Sequence, residues 1–181
     1  MTQLIFLIGL PGSGKSSLAQ QLIRENQGRL LISTDAIRYQ LFGDEAIQGP
    51  WFLVWQQLQQ QFSKAALGIS QRQLELAIYD ATNAVYRQRR EAIALARETG
   101  FTQITGLWLD MPAWLCLARN RRRQRQVPDA VILRMHRQLR DAPPTVADGL
   151  DRLIRYSLGA ISTEIAIAPV RKNRTRPTLY F

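Results

Sequence analysis

A glycine-rich loop near the start of the chain restricts the possible folds more than any other feature of the sequence. The stretch GLPGSGKSS, residues 9–17, directly follows the apolar run LIFLI, residues 4–8. It matches the pattern G-x-x-x-x-G-K-[ST] at every specified position. That pattern has a strand before the loop and a helix after it. We therefore expect residues 9–17, the phosphate loop, to lie at the carboxyl end of a buried strand.

The residue types in the phosphate loop suit a bound phosphate group. Glycine lets the main chain turn so tightly that successive N–H groups point into one concavity, and the following helix adds its positive end. The lysine brings a mobile positive charge to the β- and γ-phosphates, and the first serine of the helix is a ligand for Mg²⁺. The predicted nucleoside triphosphate site comprises Gly9, Leu10, Pro11, Gly12, Ser13, Gly14, Lys15, Ser16 and Ser17, with Ser16 also a metal ligand.

Apolar runs that are typical of strands alternate with amphipathic helical patterns along most of the chain. Strands are predicted at 4–8, 30–33, 74–80 and 104–110, with a last strand at either 153–156 or 165–168. Helices are predicted at 15–26, from 35 to before 43, and at 49–67, 87–99, 112–125 and 128–140. Within 49–67, Trp51, Trp55, Leu58 and Phe62 recur at helical spacing and are expected in the core. This order predicts an α/β protein whose mostly parallel sheet is covered by helices on both faces.

Composition adds expectations about organisation and surroundings. The length of 181 residues suits one domain, 1–181, with a basic tail from about residue 169. Cys116 is the single cysteine, which suits a reducing compartment, and no apolar run is long enough to span a bilayer, so we expect a cytoplasmic protein with no membrane contact. The net charge of +10 is carried almost entirely by arginine. It favours a phosphate-bearing partner, although a basic solvated surface would have the same composition.

Charged and polar side chains follow the second and third predicted strands. In STDAIR, Asp35 begins a helix and Arg38 lies one turn later on the same face. Asp35 either caps the helix or accepts a proton from an acceptor hydroxyl while Arg38 holds a phosphate of that acceptor. In YDATN, Asp80 is predicted to support Mg²⁺. Thr82 and Asn83 are either acceptor contacts or turn residues.

Five arginines crowd the stretch RNRRRQR, residues 119–125, which we call the arginine segment. Arg119 and Arg123 are aligned at i,i+4 on the predicted helix. Because so many like charges repel one another, an anion nearby would stabilise them. The anion is either the triphosphate, held by a mobile lid, or a nucleic-acid backbone, unless the charges only face solvent. We predict that Arg119 and Arg123 belong to a lid.

The joint order of these motifs resembles the polynucleotide 5′-hydroxyl kinases, P-loop kinases of the zeta toxin and polynucleotide kinase group. The matching stretches are GLPGSGKSS, STDAIR, YDATN, LWLDMPAWLCLARNRRR, VPDAVILRM and DAPPTVADGLDRLI, from residue 4 to about 154. The resemblance implies a P-loop NTPase that uses ATP and Mg²⁺ to phosphorylate the 5′-hydroxyl of RNA or DNA. It implies that Asp35 is the general base and that Arg38 contacts the acceptor. Lys15, Arg119 and Arg123 would act on the triphosphate.

The sequence leaves three functions open. The first is a kinase of nucleic-acid 5′-hydroxyl groups, which the basic charge and the Asp35–Arg38 pair favour. The second is a kinase of a small-molecule or tRNA-linked hydroxyl group, with a closed pocket that Trp51, Phe52 or Trp55 would line. The third is an ATP-dependent binding module without transfer, which leaves Asp35 and Arg38 unexplained. The acceptor, the oligomeric state and the role of residues 43–72 do not follow from the sequence.

Overall fold

The computed structural model describes residues 1–165, and the predicted basic tail lies outside them. One sheet has the strand order β2-β3-β1-β4-β5-β6. The strands are β1 Gln3–Gly9, β2 Arg29–Ser33, β3 Leu76–Asp80, β4 Gln103–Asp110, β5 Arg152–Ser157 and β6 Ala160–Ile165. Strands β1 to β5 pair in parallel, and β6 runs antiparallel to β5. The predicted strand at 153–156 lies inside β5, and residues 166–168 lie outside the described residues.

Helices cover both faces of this sheet, so the predicted fold class is confirmed. The helices are α1 Lys15–Glu25, α2 Thr34–Phe42, α3 Trp51–Ser70, α4 Tyr86–Glu98, α5 Ala113–Asn120 and α6 Asp129–Asp141, with a 3₁₀ turn at Val146–Asp148. Side chains alternate along β1 because successive residues of a strand point to opposite faces. Phe6 and Ile8 belong to the core that α3, α4 and α6 cover, whereas Leu7 packs in a second core with Ala19 of α1.

The buried stripe of α3 differs in part from the prediction. Leu58 and Phe62 are fully buried as expected, together with Val54. Trp55 is only half-buried, and Trp51 is 42% exposed. The stripe passes through residues spaced by four along the helix, so Trp55 lies beside its line and not on it. The helical periodicity was therefore correct, but the tryptophans are not its centre.

Helix α5 ends at Asn120, five residues before the predicted end at 125. The Asn120 side chain is buried, and its Nδ2 donates to the Val127 carbonyl at 2.7 Å while its Oδ1 accepts from the Val127 N–H at 3.0 Å. These two bonds close residues 121–126 into a loop, which cannot continue the helix. The predicted i,i+4 alignment of Arg119 and Arg123 on one helix is therefore wrong, since Arg123 lies beyond the helix end.

A fully buried ion pair joins α4 to the 3₁₀ turn. The Arg89 Nε donates to Asp148 Oδ2 at 2.7 Å, and the side chains of both residues are almost completely inaccessible. The other guanidinium nitrogens donate to the carbonyls of Asn83 at 3.2 Å and Ala142 at 3.1 Å. The guanidinium therefore joins α4 to three other segments: the loop after β3, the end of α6 and the 3₁₀ turn.

We expect Asp148→Ala to destabilise the protein by about 3–5 kcal/mol, because it leaves the Arg89 charge buried without a counter-ion. Urea unfolding followed by circular dichroism measures the change. Glu91→Ala is the matched control, since it removes the carboxylate of the exposed Arg87–Glu91 pair in the same helix. Its unfolding midpoint should stay at the wild-type value. Equal midpoints for Asp148→Ala and the wild type would contradict the importance of the buried pair.

Candidate active site

A cavity of about 630 Å³ opens at the carboxyl ends of β1, β2 and β3. These strands are neighbours in the sheet, so the segments that follow them meet at one edge. The lining residues are Pro11, Gly12, Gly14, Lys15, Ser16 and Ser17 after β1; Thr34, Asp35 and Arg38 after β2; Asp80, Ala81 and Thr82 after β3; and Gln48, Arg119, Arg123, Arg125, Val127, Val131 and Met135 from further along the chain. The structure therefore places the phosphate loop, the Asp35–Arg38 pair and three arginines of the arginine segment around one space.

The main chain of the phosphate loop forms a cradle that glycine alone permits. Gly12 has φ +80°, and a Cβ there would lie 2.4 Å from the carbonyl oxygen of Cys116 in α5. Gly14 has φ +102° and occupies the N-cap of α1, where no side chain of residues 1–165 accepts from the first N–H groups of the helix. Those N–H groups are the positive end of α1. They remain available to an anion in the cavity, as the predicted triphosphate site requires.

The remaining residues of the phosphate loop support the cradle from outside the cavity. Gly9 donates its N–H to the Thr82 carbonyl at 3.0 Å, and the Leu10 carbonyl accepts from Lys15 Nζ at 2.8 Å. The Ser13 hydroxyl is buried and has no partner among residues 1–165. Gly9, Leu10 and Ser13 do not line the cavity, whereas the other six predicted residues of the phosphate loop do.

The Lys15 side chain is buried close to a main-chain carbonyl group and to a carboxylate. Its Nζ donates to the Leu10 carbonyl, and the Asp80 carboxylate lies close enough to affect its protonation. Burial lowers the pKa of Lys15 to about 8, and the negative charge of Asp80 works against that shift. Burial disfavours the charged ammonium form of Lys15. An anion in the cavity would attract the ammonium and so offset this unfavourable effect of burial.

Oxygen donors suited to Mg²⁺ lie beside the phosphate loop. Asp80 ends β3 and is buried, which raises the pKa of its carboxyl, while Lys15 and the Ser16 hydroxyl lower it. Residues 1–165 contain no group of three or more His, Cys, Asp or Glu side chains that could hold a metal alone. Mg²⁺ is commonly held by one or two protein oxygens and completed by phosphate oxygens. The donor set of Ser16 and Asp80 fits that ion.

Asp35 faces the cavity from the first turn of α2 and does not cap the helix. The N-cap is Ser33, whose hydroxyl accepts from the Ala36 N–H. Asp35 Oδ1 accepts from Arg38 Nη1 at 2.9 Å, and its Oδ2 lies 3.4 Å from Arg125 Nη1. The side chain is 47% exposed. Capping therefore does not explain Asp35, and an acceptor in the cavity can reach its carboxylate.

The arginine segment divides into residues that face the cavity and residues that face away. Arg119, Arg123 and Arg125 line it, whereas Arg121 pairs with Asp129 at 2.8 Å and Arg122 is exposed. The sequence predicted Arg119 and Arg123 but did not single out Arg125. No spacing rule marks Arg125, because its contacts are with residues far away in the chain.

Two adjacent residues after β3 have different surroundings. Thr82 lines the cavity, as one of the two predicted alternatives requires. Asn83 does not; it is buried at φ +50°, and its Nδ2 donates to the Leu7 carbonyl at 2.6 Å. The Asn83 carbonyl also accepts from Arg89. Asn83 therefore holds the turn between β3 and α4, which was the other alternative.

The segment 43–72 contributes little to the cavity. Gln48 lines it, but Trp51, Phe52 and Trp55 do not. Val127, and Val131 and Met135 of α6, give the cavity apolar side chains; all three lie in the stretch VPDAVILRM, to which the sequence assigned no role in the site. A second cavity, of about 690 Å³, lies between α6 and strands β4 to β6. It lacks the glycine cradle, so the phosphate loop identifies the first cavity as the candidate active site.

Within residues 1–165, no helix is both long and apolar enough to cross a membrane.

Comparisons with known proteins agree with the observed fold. Residues 4–142 match the family described as an AAA domain. Among solved structures, a chain of the Pnkp1/Rnl/Hen1 RNA repair complex is 23% identical with a TM-score of 0.62, over 77% of this chain and 44% of that one. A sugar kinase from Janibacter sp. HTCC2649 is 22% identical with a TM-score of 0.58, over 87% and 86% of the two chains.

A gluconokinase from Sinorhizobium meliloti 1021 has a TM-score of 0.54 at 16% identity, over 87% of this chain and 83% of that chain. The chain thus spans less than half of the RNA repair chain but most of both sugar-type kinases. No curated protein matches the sequence. At these identities the structures show a shared P-loop kinase-like fold.

Proposed function

Because the chain belongs to the AAA domain family, and its fold is that of a P-loop kinase, we propose that it transfers the γ-phosphate of ATP to a hydroxyl group, the 5′-hydroxyl of RNA or DNA. One observation carries this proposal. The Asp35 carboxylate, the Arg38 guanidinium and the phosphate loop line a single cavity. A nucleotide switch needs the loop, but it has no need of a base and a cation on the acceptor side.

The protein groups on the triphosphate side bind and orient it. The free N–H groups at the start of α1 and the Lys15 ammonium attract the phosphates, while Arg119 and Arg123 face the same space from the arginine segment. Ser16 and Asp80 would hold Mg²⁺, which neutralises charge on the β- and γ-phosphates when bound. Arg119 and Arg123 would stabilise the charge that develops on the transferred group.

Asp35 is the proposed general base. Its carboxylate accepts the proton of the acceptor hydroxyl, the hydroxyl oxygen forms a bond to the γ-phosphorus, and the bond to the oxygen of ADP breaks. Arg38 Nη1 lies 2.9 Å from Asp35 Oδ1, and its guanidinium is the proposed site for the acceptor's phosphate. Its Nε is buried and has no hydrogen-bond partner among residues 1–165.

A kinase of a small hydroxylated molecule is the second candidate. The sugar kinase and the gluconokinase match this chain over most of their length, which the RNA repair chain does not. The aromatic side chains that a closed metabolite pocket would use, Trp51, Phe52 and Trp55, lie outside the cavity. That placement favours the nucleic-acid acceptor over the small molecule.

Labelled ATP decides between the acceptors. We expect label to enter 5′-hydroxyl RNA or DNA oligonucleotides in preference to a panel of sugars and nucleosides. Arg38→Ala should lower kcat/KM by about 10- to 100-fold for acceptors that carry a phosphate, because a charge-assisted bond is lost, and far less for simple alcohols. Equal losses on both kinds of acceptor would contradict the nucleic-acid assignment, and label in the sugars alone would favour the second candidate.

A further inference from the structure

Arg125 has two different acidic partners at the edge of the candidate active site. Its Nη1 lies 2.8 Å from Glu45 Oε1, and its Nη2 donates to the Glu45 carbonyl at 3.1 Å. The same Nη1 lies 3.4 Å from Asp35 Oδ2. Arg125 thus connects the arginine segment with the loop between α2 and α3, and it is closer to Glu45 than to the proposed base.

Two guanidinium groups flank the Asp35 carboxylate. Arg38 contacts one carboxylate oxygen at 2.9 Å and Arg125 approaches the other at 3.4 Å. Both arginines line the cavity. An acceptor whose hydroxyl reaches Asp35 therefore lies near two cations, and a nucleic-acid strand offers one phosphate after another along its backbone. Guanidinium groups bind phosphate through paired charge-assisted hydrogen bonds.

The Glu45 contact is of a kind that a phosphate can displace. The side chains of Arg125 and Glu45 are 31% and 43% exposed, so water screens their attraction and the pair contributes little stability. The buried Arg89–Asp148 pair is the opposite case, because separating it would strand a charge away from water. Glu45 is therefore placed to occupy Arg125 reversibly in the acceptor-free protein.

We propose that Arg125 is a second acceptor-phosphate contact, next to that of Arg38, and that Glu45 occupies it until the second phosphate of a nucleic-acid strand replaces the carboxylate. This inference rests on the proposed nucleic-acid acceptor. It gives Arg125 a task different from the one proposed for Arg119 and Arg123, which line the same cavity and have no ion-pair partner among residues 1–165. It also makes the strength of acceptor binding depend on Glu45, a residue that binds no substrate itself.

Equilibrium binding without ATP tests the contact directly. The probes are 3′-labelled 5′-hydroxyl oligonucleotides with one or with two phosphodiester groups, and fluorescence anisotropy gives the Kd of each. We expect the second phosphate to tighten binding several-fold in the wild type and to have no effect in Arg125→Ala. In Glu45→Gln the gain from the second phosphate should increase by about 2- to 5-fold, because the competing carboxylate is gone.

Matched variants separate a specific contact from general charge. Asp44→Asn removes a negative charge from the neighbouring position of the same loop; Asp44 accepts from the Ala46 N–H and makes no contact with Arg125. Arg122→Ala removes an exposed arginine from the arginine segment. Neither variant should alter the gain from the second phosphate. The proposal is overturned if Asp44→Asn acts like Glu45→Gln, or if Glu45→Gln weakens binding, which would make the Arg125–Glu45 pair a required structural link.

The outcomes also distinguish this inference from the proposed function. If the gain from the second phosphate follows the expected pattern but labelled ATP never labels the strand, the transfer reaction is wrong and the second contact stands. If the strand is labelled and Arg125→Ala keeps the full gain, the transfer reaction stands and the second contact is wrong. Circular dichroism of each variant ensures that only folded protein is compared.

Discussion

Asp35→Asn is expected to lower the rate of phosphate transfer by about two to four orders of magnitude while ATP binding remains close to that of the wild type. The amide has nearly the shape of the carboxylate and can still accept a hydrogen bond from Arg38, but it cannot take the proton of the acceptor hydroxyl. Single-turnover transfer from labelled ATP measures the rate. Titration with a non-hydrolysable ATP analogue measures the binding.

Asp129→Asn is the matched control for this variant. Asp129 also lies in the first turn of a helix and also pairs with an arginine, Arg121, at 2.8 Å, but it is outside the cavity. Its transfer rate should equal that of the wild type. A transfer rate for Asp35→Asn near the wild-type value would remove Asp35 from the mechanism and return it to a purely structural place beside Arg38.

Lys15→Met should lower kcat/KM by about two to three orders of magnitude whatever the acceptor, because the charge that binds the β- and γ-phosphates is lost. Methionine retains an apolar chain of similar length, so the buried volume is conserved. Lys64→Met, which removes another of the three lysines from an exposed position in α3, should leave kcat/KM unchanged. Wild-type kinetics in Lys15→Met would contradict the assignment of the phosphate loop.

The pH dependence of binding follows from the same lysine. Burial lowers the pKa of Lys15 to about 8 in the free protein, and a bound triphosphate raises it again by favouring the charged form. The affinity for an ATP analogue should therefore fall about tenfold for each pH unit above pH 8, until the pKa of the complex is reached. Calorimetry in two buffers of different ionisation enthalpy should show proton uptake near pH 8. The uptake should persist in Lys64→Met and be absent in Lys15→Met.

Lys15 also illustrates a conflict between stability and binding. Its pKa falls from 10.5 to about 8 when the chain folds, so folding releases a proton between these pH values. The contribution of Lys15 to stability consequently rises as the pH increases through this window, and at pH 7 the buried charge opposes folding. A charge that is unfavourable in the empty site is the one that a triphosphate stabilises on binding.

The arginine segment shows where local sequence rules stop. The spacing of Arg119 and Arg123 predicted one face of a helix, but α5 ends at Asn120, so Arg119 reaches the cavity from the helix and Arg123 from the loop that follows it. The bonds between Asn120 and Val127 that end the helix form only once the intervening loop has folded back. Likewise, the partners of Arg125 are Asp35 and Glu45, 90 and 80 positions away in the chain. Such contacts leave no periodic signal in the sequence.

The sequence by itself determined the parts of this protein whose geometry is local. A strand, a glycine-rich turn and a helix are adjacent in the chain, so the phosphate loop, the α/β class and the parallel sheet follow from residue type and spacing. Tertiary structure alone decided which polar residues share the cavity. It turned Asn83 inward to the main chain of β1, left Trp51 exposed, and brought Arg125 to Asp35. The physical reason is that strand order and loop closure set these distances, and both depend on packing between segments remote in the chain.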